Sequence, residues 1–337
     1  MQKPSSWTDR ISLSGKTYLR YTWQLDEAAG NANAFAIDRL YLQSEYRFTD
    51  RLLAQVTLEA GDLREGGGGP LDVVTKYLFF EAKDLGFTGT YLRVGQLPLA
   101  WVPYEEDLWG LRMQGSVFMD RAGYMTSTDL GIAFGGKLPM SYGSFQVDVG
   151  NGEGWKSPEL FKRKAIEARL TVNPLASMGG VVANLFLSGF GYYGGYDNAG
   201  FTEHARQRYI GQVGYHDEDL TLAAEYAFLT DASAALSKRY DLGYTSVAHG
   251  VGFSAFGVLG LVKFSPVARG WDLFARFDYI DPETSVADNE VSTVIGGLGW
   301  RWNKHARTIV DFEANLPSSR AGGLTNAIVQ AQMEIKL

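Results

Sequence analysis

"DRLYLQSEYRFTDRLLAQVTLEAG", residues 38–61, decides the fold. In its first half Leu40, Leu42, Tyr46 and Phe48 fall on one side of an extended chain, with Arg39, Gln43, Glu45 and Arg47 on the other. This is a period of two, the repeat of a pleated strand and not the 3.6 of a helix. Only Thr49 and Asp50 separate it from a second alternating run, 51–61, so the pair reads as a hairpin.

The pattern extends both ways. Upstream, Ile11, Leu13, Leu19, Tyr21 and Trp23 share one face, and Ser12, Ser14, Lys16, Arg20 and Thr22 the other. Downstream, alternating runs continue to "AIVQAQMEIKL" (327–337), and sixteen are found in all. Short links such as 49–50, 85–89 and 303–305 are interleaved with long ones at 26–34, 62–72 and 281–290. An even number of such strands, with short turns at one end and long loops at the other, is the pattern of a transmembrane barrel. The expected fold is all-β: a sixteen-stranded antiparallel β-barrel with short periplasmic turns and long extracellular loops, one domain over residues 1–337. A sandwich has about seven strands per domain and a propeller repeats its blades. No repeat at blade spacing occurs, and the polar faces carry too many charges for ordinary solvent faces.

Composition agrees. No run of about eighteen apolar residues exists, so no transmembrane helix is expected. A net charge of −7 with no basic block speaks against nucleic acid as a partner. Cysteine is absent, which removes disulfides and thiolate chemistry and suits export through an oxidising periplasm. "MQKPSSWTDR" lacks the apolar centre of a signal peptide, so the sequence reads as a mature chain. Aromatics form two groups: Tyr21, Trp23, Tyr193, Phe228 and Tyr279 near the loop end, and Tyr46, Phe48, Tyr215, Phe264, Trp271, Trp300 and Trp302 near the turn end. A bilayer selects such belts, because an amphipathic ring sits best at headgroup level.

The final strand, with Val329, Ala331, Met333, Ile335 and Leu337 facing one way, resembles the C-terminal strand of bacterial outer-membrane proteins, though those usually end in an aromatic residue. The whole layout resembles a sixteen-stranded porin. "AFAIDRLYLQSEYRFTDRLLAQVTLEAG" (34–61) followed by "YLRVGQLPLAW" (91–101) is similar to the family of phosphate-selective porins O and P. The resemblance implies an outer-membrane channel for small hydrophilic solutes or ions, embedded in lipid and lipopolysaccharide, usually a homotrimer, with a third loop folded inward.

Residues 97–127, "LPLAWVPYEEDLWGLRMQGSVFMDRAGYMTS", would be that loop: they break the alternation with prolines, aromatics and a carboxylate triplet. Trp101, Val102, Tyr104, Leu108, Trp109, Leu111, Val117, Phe118 and Met119 are unfavourable in water but can pack against an inner wall; packing on neighbouring loops or subunits is the alternative. The expected pore constriction sets Glu105, Glu106, Asp107, Arg112 and Arg121 of the loop against Arg20, Arg39 and Arg93 of the wall. Wall acids such as Glu59, Glu81, Asp272 and Glu334 balance many wall arginines, so weak ion selectivity is expected. An anion- or phosphate-selective pore, and a barrel plugged as a scaffold, remain open.

Other chemistry is weak. "EGGGGP" (65–70) has no strand-to-helix context and no following Lys-Ser/Thr, so it reads as a loop and not a phosphate cradle. His204, His216, His249 and His305 lie on separate segments without ligand spacing, and no nucleophile motif accompanies them. Asp281, Glu283, Asp288 and Glu290 read as a solvated acidic loop, with a divalent cation as the lesser alternative. No enzyme, cofactor or metal is expected.

Overall fold

The computed structural model describes residues 6–25, 33–61, 72–154, 163–198, 201–231, 240, 247–319, 321 and 325–337. Most of the first two long connections, including the 65–70 segment, lies outside these residues.

The strands are β1 (Ile11–Gln24), β2 (Asn33–Arg47), β3 (Leu52–Gly61), β4 (Asp72–Lys83), β5 (Thr90–Pro98), β6 (Thr128–Lys137), β7 (Gly143–Gly150) and β8 (Ala165–Val172). They continue as β9 (Leu185–Asn198), β10 (Phe201–His216), β11 (Leu220–Asp231), β12 (Ala248–Gly260), β13 (Trp271–Asp281), β14 (Val291–Arg301), β15 (Ala306–Pro317) and β16 (Asn326–Lys336). Each pairs antiparallel with its neighbours in sequence, and β1 pairs with β16, Lys16 opposite Lys336 and Gln24 opposite Ile328, so the sheet is closed. Closure leaves no edge with unpaired backbone groups, a requirement for crossing lipid.

β13 shows the pattern of the wall. Leu273, Ala275 and Phe277 are exposed, whereas Asp272, Phe274, Arg276 and Asp278 are buried in the lumen. The inner face thus carries the charge and the outer face the apolar band, as lipid dictates. Trp23, Tyr193 and Phe228 are exposed toward the loop end, and Phe48, Phe264, Trp271 and Trp302 toward the turn end. Trp300 packs between Trp271 (4.9 Å) and Trp302 (6.1 Å), making one belt continuous over the β13–β15 turns.

Two strand readings need correction. Residues 181–184 and 261–263 continue the alternation of the ninth and twelfth strands, but the chain forms 3-10 turns at Val181–Asn184 and Leu261–Lys263. Both lie beyond the turn end of the sheet, where no partner strand continues, so local bonds such as Phe264 N–H to Leu261 C=O take over.

Three β-bulges interrupt the wall, one on β10 between Thr202 and His204 and two beside the chamber. On β2 the register slips so that Tyr18 faces Arg39 while Leu19 faces Ile37, leaving Asp38 extra. On β4, Thr57 faces Tyr77 while Leu58 faces Thr75, leaving Lys76 extra. An extra residue lets two consecutive side chains point the same way. Asp38 and Arg39, and then Lys76 and Tyr77, accordingly turn into the lumen on strands separated only by β3.

The two faces of β13 yield a direct test. Phe277→Arg should lower the stability of the folded barrel by about 2–4 kcal/mol in a vesicle-refolding urea titration, with Phe277→Leu close to neutral, although the adjacent position 276 carries arginine natively.

Candidate functional site: the lumen and its third loop

The loop between β5 and β6 is built around α1 (Val102–Trp109), a helix that the break in alternation conceals. Pro103 stands in its first turn, where no intrahelical donor is lost. Gly110 ends it in the left-handed conformation, φ 66°, with its N–H on the Glu106 carbonyl at 2.9 Å. A second short helix, α2, covers Phe118–Arg121.

Helical spacing sorts the side chains of α1. Val102, Glu105, Leu108 and Trp109 are buried on one face, while Pro103, Glu106, Asp107 and Gly110 face an open chamber. Trp109 stacks edge-on against Phe256 (5.3 Å) and Phe274 (6.0 Å) of β12 and β13, and Trp101 packs on Phe190 of β9 (5.3 Å). Leu111, Met113 and Val117 complete an apolar layer with Phe186, Ile295 and Ile309 of β9, β14 and β15. Phe118 needs a glycine opposite: a Cβ on Gly252 would stand 2.7 Å from its ring. Every loop aromatic and aliphatic expected to seek an inner wall lies against one.

Wall arginines bind the loop backbone. Arg169 donates to the Ala100 carbonyl (2.9 Å), Arg208 to Tyr124 (3.1 Å), Arg276 to Ser116 (3.0 Å) and Arg307 to Gly110 (3.2 Å). They come from β8, β10, β13 and β15, so the loop lies along half the barrel. Side chains add to this: Arg121 pairs with Glu313 (2.6 Å), Gln114 donates to Glu313 (2.9 Å), and Tyr104 meets Ser188 (2.8 Å). Guanidinium donors suit this task, because a loop without a ladder has carbonyls to satisfy away from water.

The other sector stays open. A chamber of about 690 Å³ is bounded on the wall by residues of β16 and β1–β4, among them Lys16, Tyr18, Tyr41, Lys76, Tyr77 and Glu334, and on the loop by Pro103, Glu106, Asp107, Gly110 and Arg112. Its charges are largely paired. Glu59, fully buried, binds Arg39 and also Lys76 (3.5 Å), whose ammonium donates to Ser127 (2.7 Å). Arg112 pairs with Glu106 at 2.5 Å, and Arg20 with Asp38 at 3.0 Å.

The eight residues expected at the constriction are therefore dispersed. Glu106, Asp107 and Arg112 meet at the chamber, with Arg39 in the adjoining charge cluster. Arg20 lies further toward the loop end and is tied to Asp38. Arg93 lies apart, paired with Glu81 (2.6 Å) and stacked on Tyr91. Arg121 faces Glu313 on the packed side. Glu105 is turned away from the chamber altogether, because one helical step of about 100° carries it to the wall face. Lys76 and the lining tyrosines were not anticipated. The slip in outward residues, from Val73 and Thr75 to Leu78 and Phe80, is the sequence trace of the bulge that places Lys76 and Tyr77.

The remaining candidates are placed plainly. Glu283 accepts bonds from Ser285 and from the His249 backbone, so its loop engages its own carboxylate. His216 pairs with Thr221 at the turn end (2.9 Å). Among the described residues no group of His, Cys, Asp and Glu is arranged to hold a metal, and no helix is long and apolar enough to cross a membrane.

No known family model and no curated protein sequence matches the chain. Solved structures do. OmpF of Salmonella typhi, in complex with daunomycin, is 12% identical with a TM-score of 0.70, covering 98% of this chain and 99% of OmpF. An anion-selective porin from Comamonas acidovorans is 11% identical at 0.67, covering 97% and 99%. OmpT, an outer membrane protein of Vibrio cholerae in trimer form, is 13% identical at 0.61, again over 97% and 99%. The fold is that of the outer-membrane porins. Together with the apolar outer band and its aromatic belts, it defines a porin-like barrel with a lipid-facing wall.

Glu105 makes the hold of the loop depend on pH. Both its carboxylate oxygens are buried, and the Phe118 backbone N–H approaches them and partly offsets the effect of burial. Burial raises its pKa from the ordinary 4.5 to about 7; Arg276 opposes this, while Asp278 and Glu106 add to it, and Glu225 belongs to the same buried group. The docked loop thus keeps a proton that the undocked loop gives up at lower pH. Docking should be strongest below pH 4.5, weaken as the pH rises to about 7 and then level off. Protease cleavage within residues 97–127 should rise over this window, and Glu105→Gln should flatten the dependence.

Proposed function

We propose that this chain forms a water-filled channel for passive diffusion of small hydrophilic solutes and ions across the outer membrane, as a single barrel domain whose residues 97–127 narrow the lumen. The observation that carries this reading is the division of the lumen: the loop is bound to the β8–β15 wall by arginines, apolar packing and side-chain bonds, and the chamber beside β16 and β1–β4 stays open. Barrels of this strand number are wide enough to leave an aqueous path. Glu106, Asp107, Arg112, Arg39 and Lys76 set the field at the constriction; Arg20 lies above them, and Glu105 and Arg121 act by holding the loop.

The channel is weakly selective. Glu59 stands between Arg39 and Lys76, and Glu106 offsets Arg112, so opposite charges cancel within a few ångströms. This favours a general diffusion pore over the phosphate-selective type, whose field would be dominated by cations. Its partners are membrane lipid, lipopolysaccharide and its solutes. Assembly is as a homotrimer, in line with the trimer form of the V. cholerae structure, with the glycine- and alanine-containing outer faces of β6 and β14 suited to close contact. The chain is a channel and not an enzyme.

Purified protein in a planar bilayer should give stepwise single-channel currents and, under a salt gradient, a reversal potential close to zero. Near-ideal anion selectivity would favour the phosphate-type reading, and no conductance would favour the plugged scaffold. Replacing Glu59 by Gln should move the reversal potential toward anions, because it frees Arg39 and Lys76.

A further inference from the structure

Two charges at the chamber are unpaired or only loosely paired. Among the described residues Asp107 makes no hydrogen bond and no ion pair, although its carboxylate lies on the exposed face of α1. Across the chamber, Lys16 is held by Glu334 only at 3.8 Å, and Glu334 has a nearer partner in Lys336 at 2.9 Å. Lys16 is the one cation that draws the Asp107 pKa down against the raising effects of burial and Glu106. The wall thus offers an ammonium and the loop helix a carboxylate, both facing the same water.

The same chamber is lined by tyrosines from three strands. Tyr18 and Tyr41 pack edge to face at 6.0 Å, and Tyr77 is brought in by the bulge on β4. Gln43 and Thr57 add polar groups to the lining. A cavity of about 690 Å³ falls within the size of small-molecule sites.

Building on the porin reading, we propose that this chamber is a solute subsite selecting small zwitterions, amino acids and short peptides, whose carboxylate meets Lys16 while their ammonium meets Asp107. A singly charged solute satisfies one pole and faces repulsion from the other; a neutral solute satisfies neither. A zwitterion completes both pairs without adding net charge to a balanced lumen.

The test uses the full chain in proteoliposomes, with glycylglycine as the zwitterion, N-acetylglycine as the anion and glycinamide as the cation. Glycylglycine should enter about two- to fivefold faster than either control, the scale of one or two exposed ion pairs. Asp107→Asn should abolish that advantage and favour N-acetylglycine, whereas Lys16→Gln should abolish it and favour glycinamide. Resistance of the barrel to denaturation in detergent checks that both variants fold. Equal entry of all three solutes through a conducting wild-type channel overturns the subsite and leaves the porin standing. The subsite also falls if both variants keep the advantage. Absence of both conductance and solute entry overturns the porin reading itself.

Discussion

A loop folded into a barrel must satisfy its own backbone. Residues 97–127 have no strand partners over most of their length, and inside the lumen much of their surface is shielded from water. Four wall arginines resolve this by donating to the carbonyls of Ala100, Gly110, Ser116 and Tyr124. A guanidinium has donors to spare after one carbonyl. Arg276 also binds Asp278, and Arg208 and Arg307 bind Asp231 and Asp272. Three of the four therefore tie the loop to an acid already fixed in the sheet, while Arg169 ties it to the hydroxyls of Ser144 and Thr171, and the division of the lumen into a filled and an open sector depends on these ties.

Apolar packing alone would hold the loop less specifically. Trp101, Trp109 and Phe118 bury large surfaces against Phe190, Phe256, Phe274 and the space left by Gly252, but burial energy is non-directional. The arginine bonds set register along the wall, and the helical twist of α1 then sets which carboxylate meets water. Glu105 goes to the wall and Glu106 and Asp107 to the chamber. Three consecutive acids thus acquire three environments: a buried group whose pKa burial raises, an acid offset by Arg112, and one left unpaired.

The open wall is shaped by its bulges. Without the extra residues at Asp38 and Lys76, strict alternation would point one member of each inward pair at lipid. The bulged geometry gathers Arg39, Glu59, Lys76, Tyr41 and Tyr77 into one patch facing the loop. It gives the charge balance on which the proposed weak selectivity rests.

Much was legible in the sequence. Sixteen alternating runs, the asymmetry of turns and loops, the aromatic belts and the loop rich in apolar residues follow from a side-chain period of two and from the chemistry of lipid, both local properties that one strand displays by itself. Of the residues singled out in the sequence, Glu106, Asp107 and Arg112 line the chamber and Arg39 lies in the adjoining charge cluster. The sequence could not say that Arg93 and Arg121 belong to other partners, that Glu105 is buried, or that Lys76 lines the chamber. Those outcomes depend on strand stagger, on two one-residue slips in register and on the rotation of a short helix. Each of these is a relation between distant segments, fixed only when the barrel closes and the loop finds its donors.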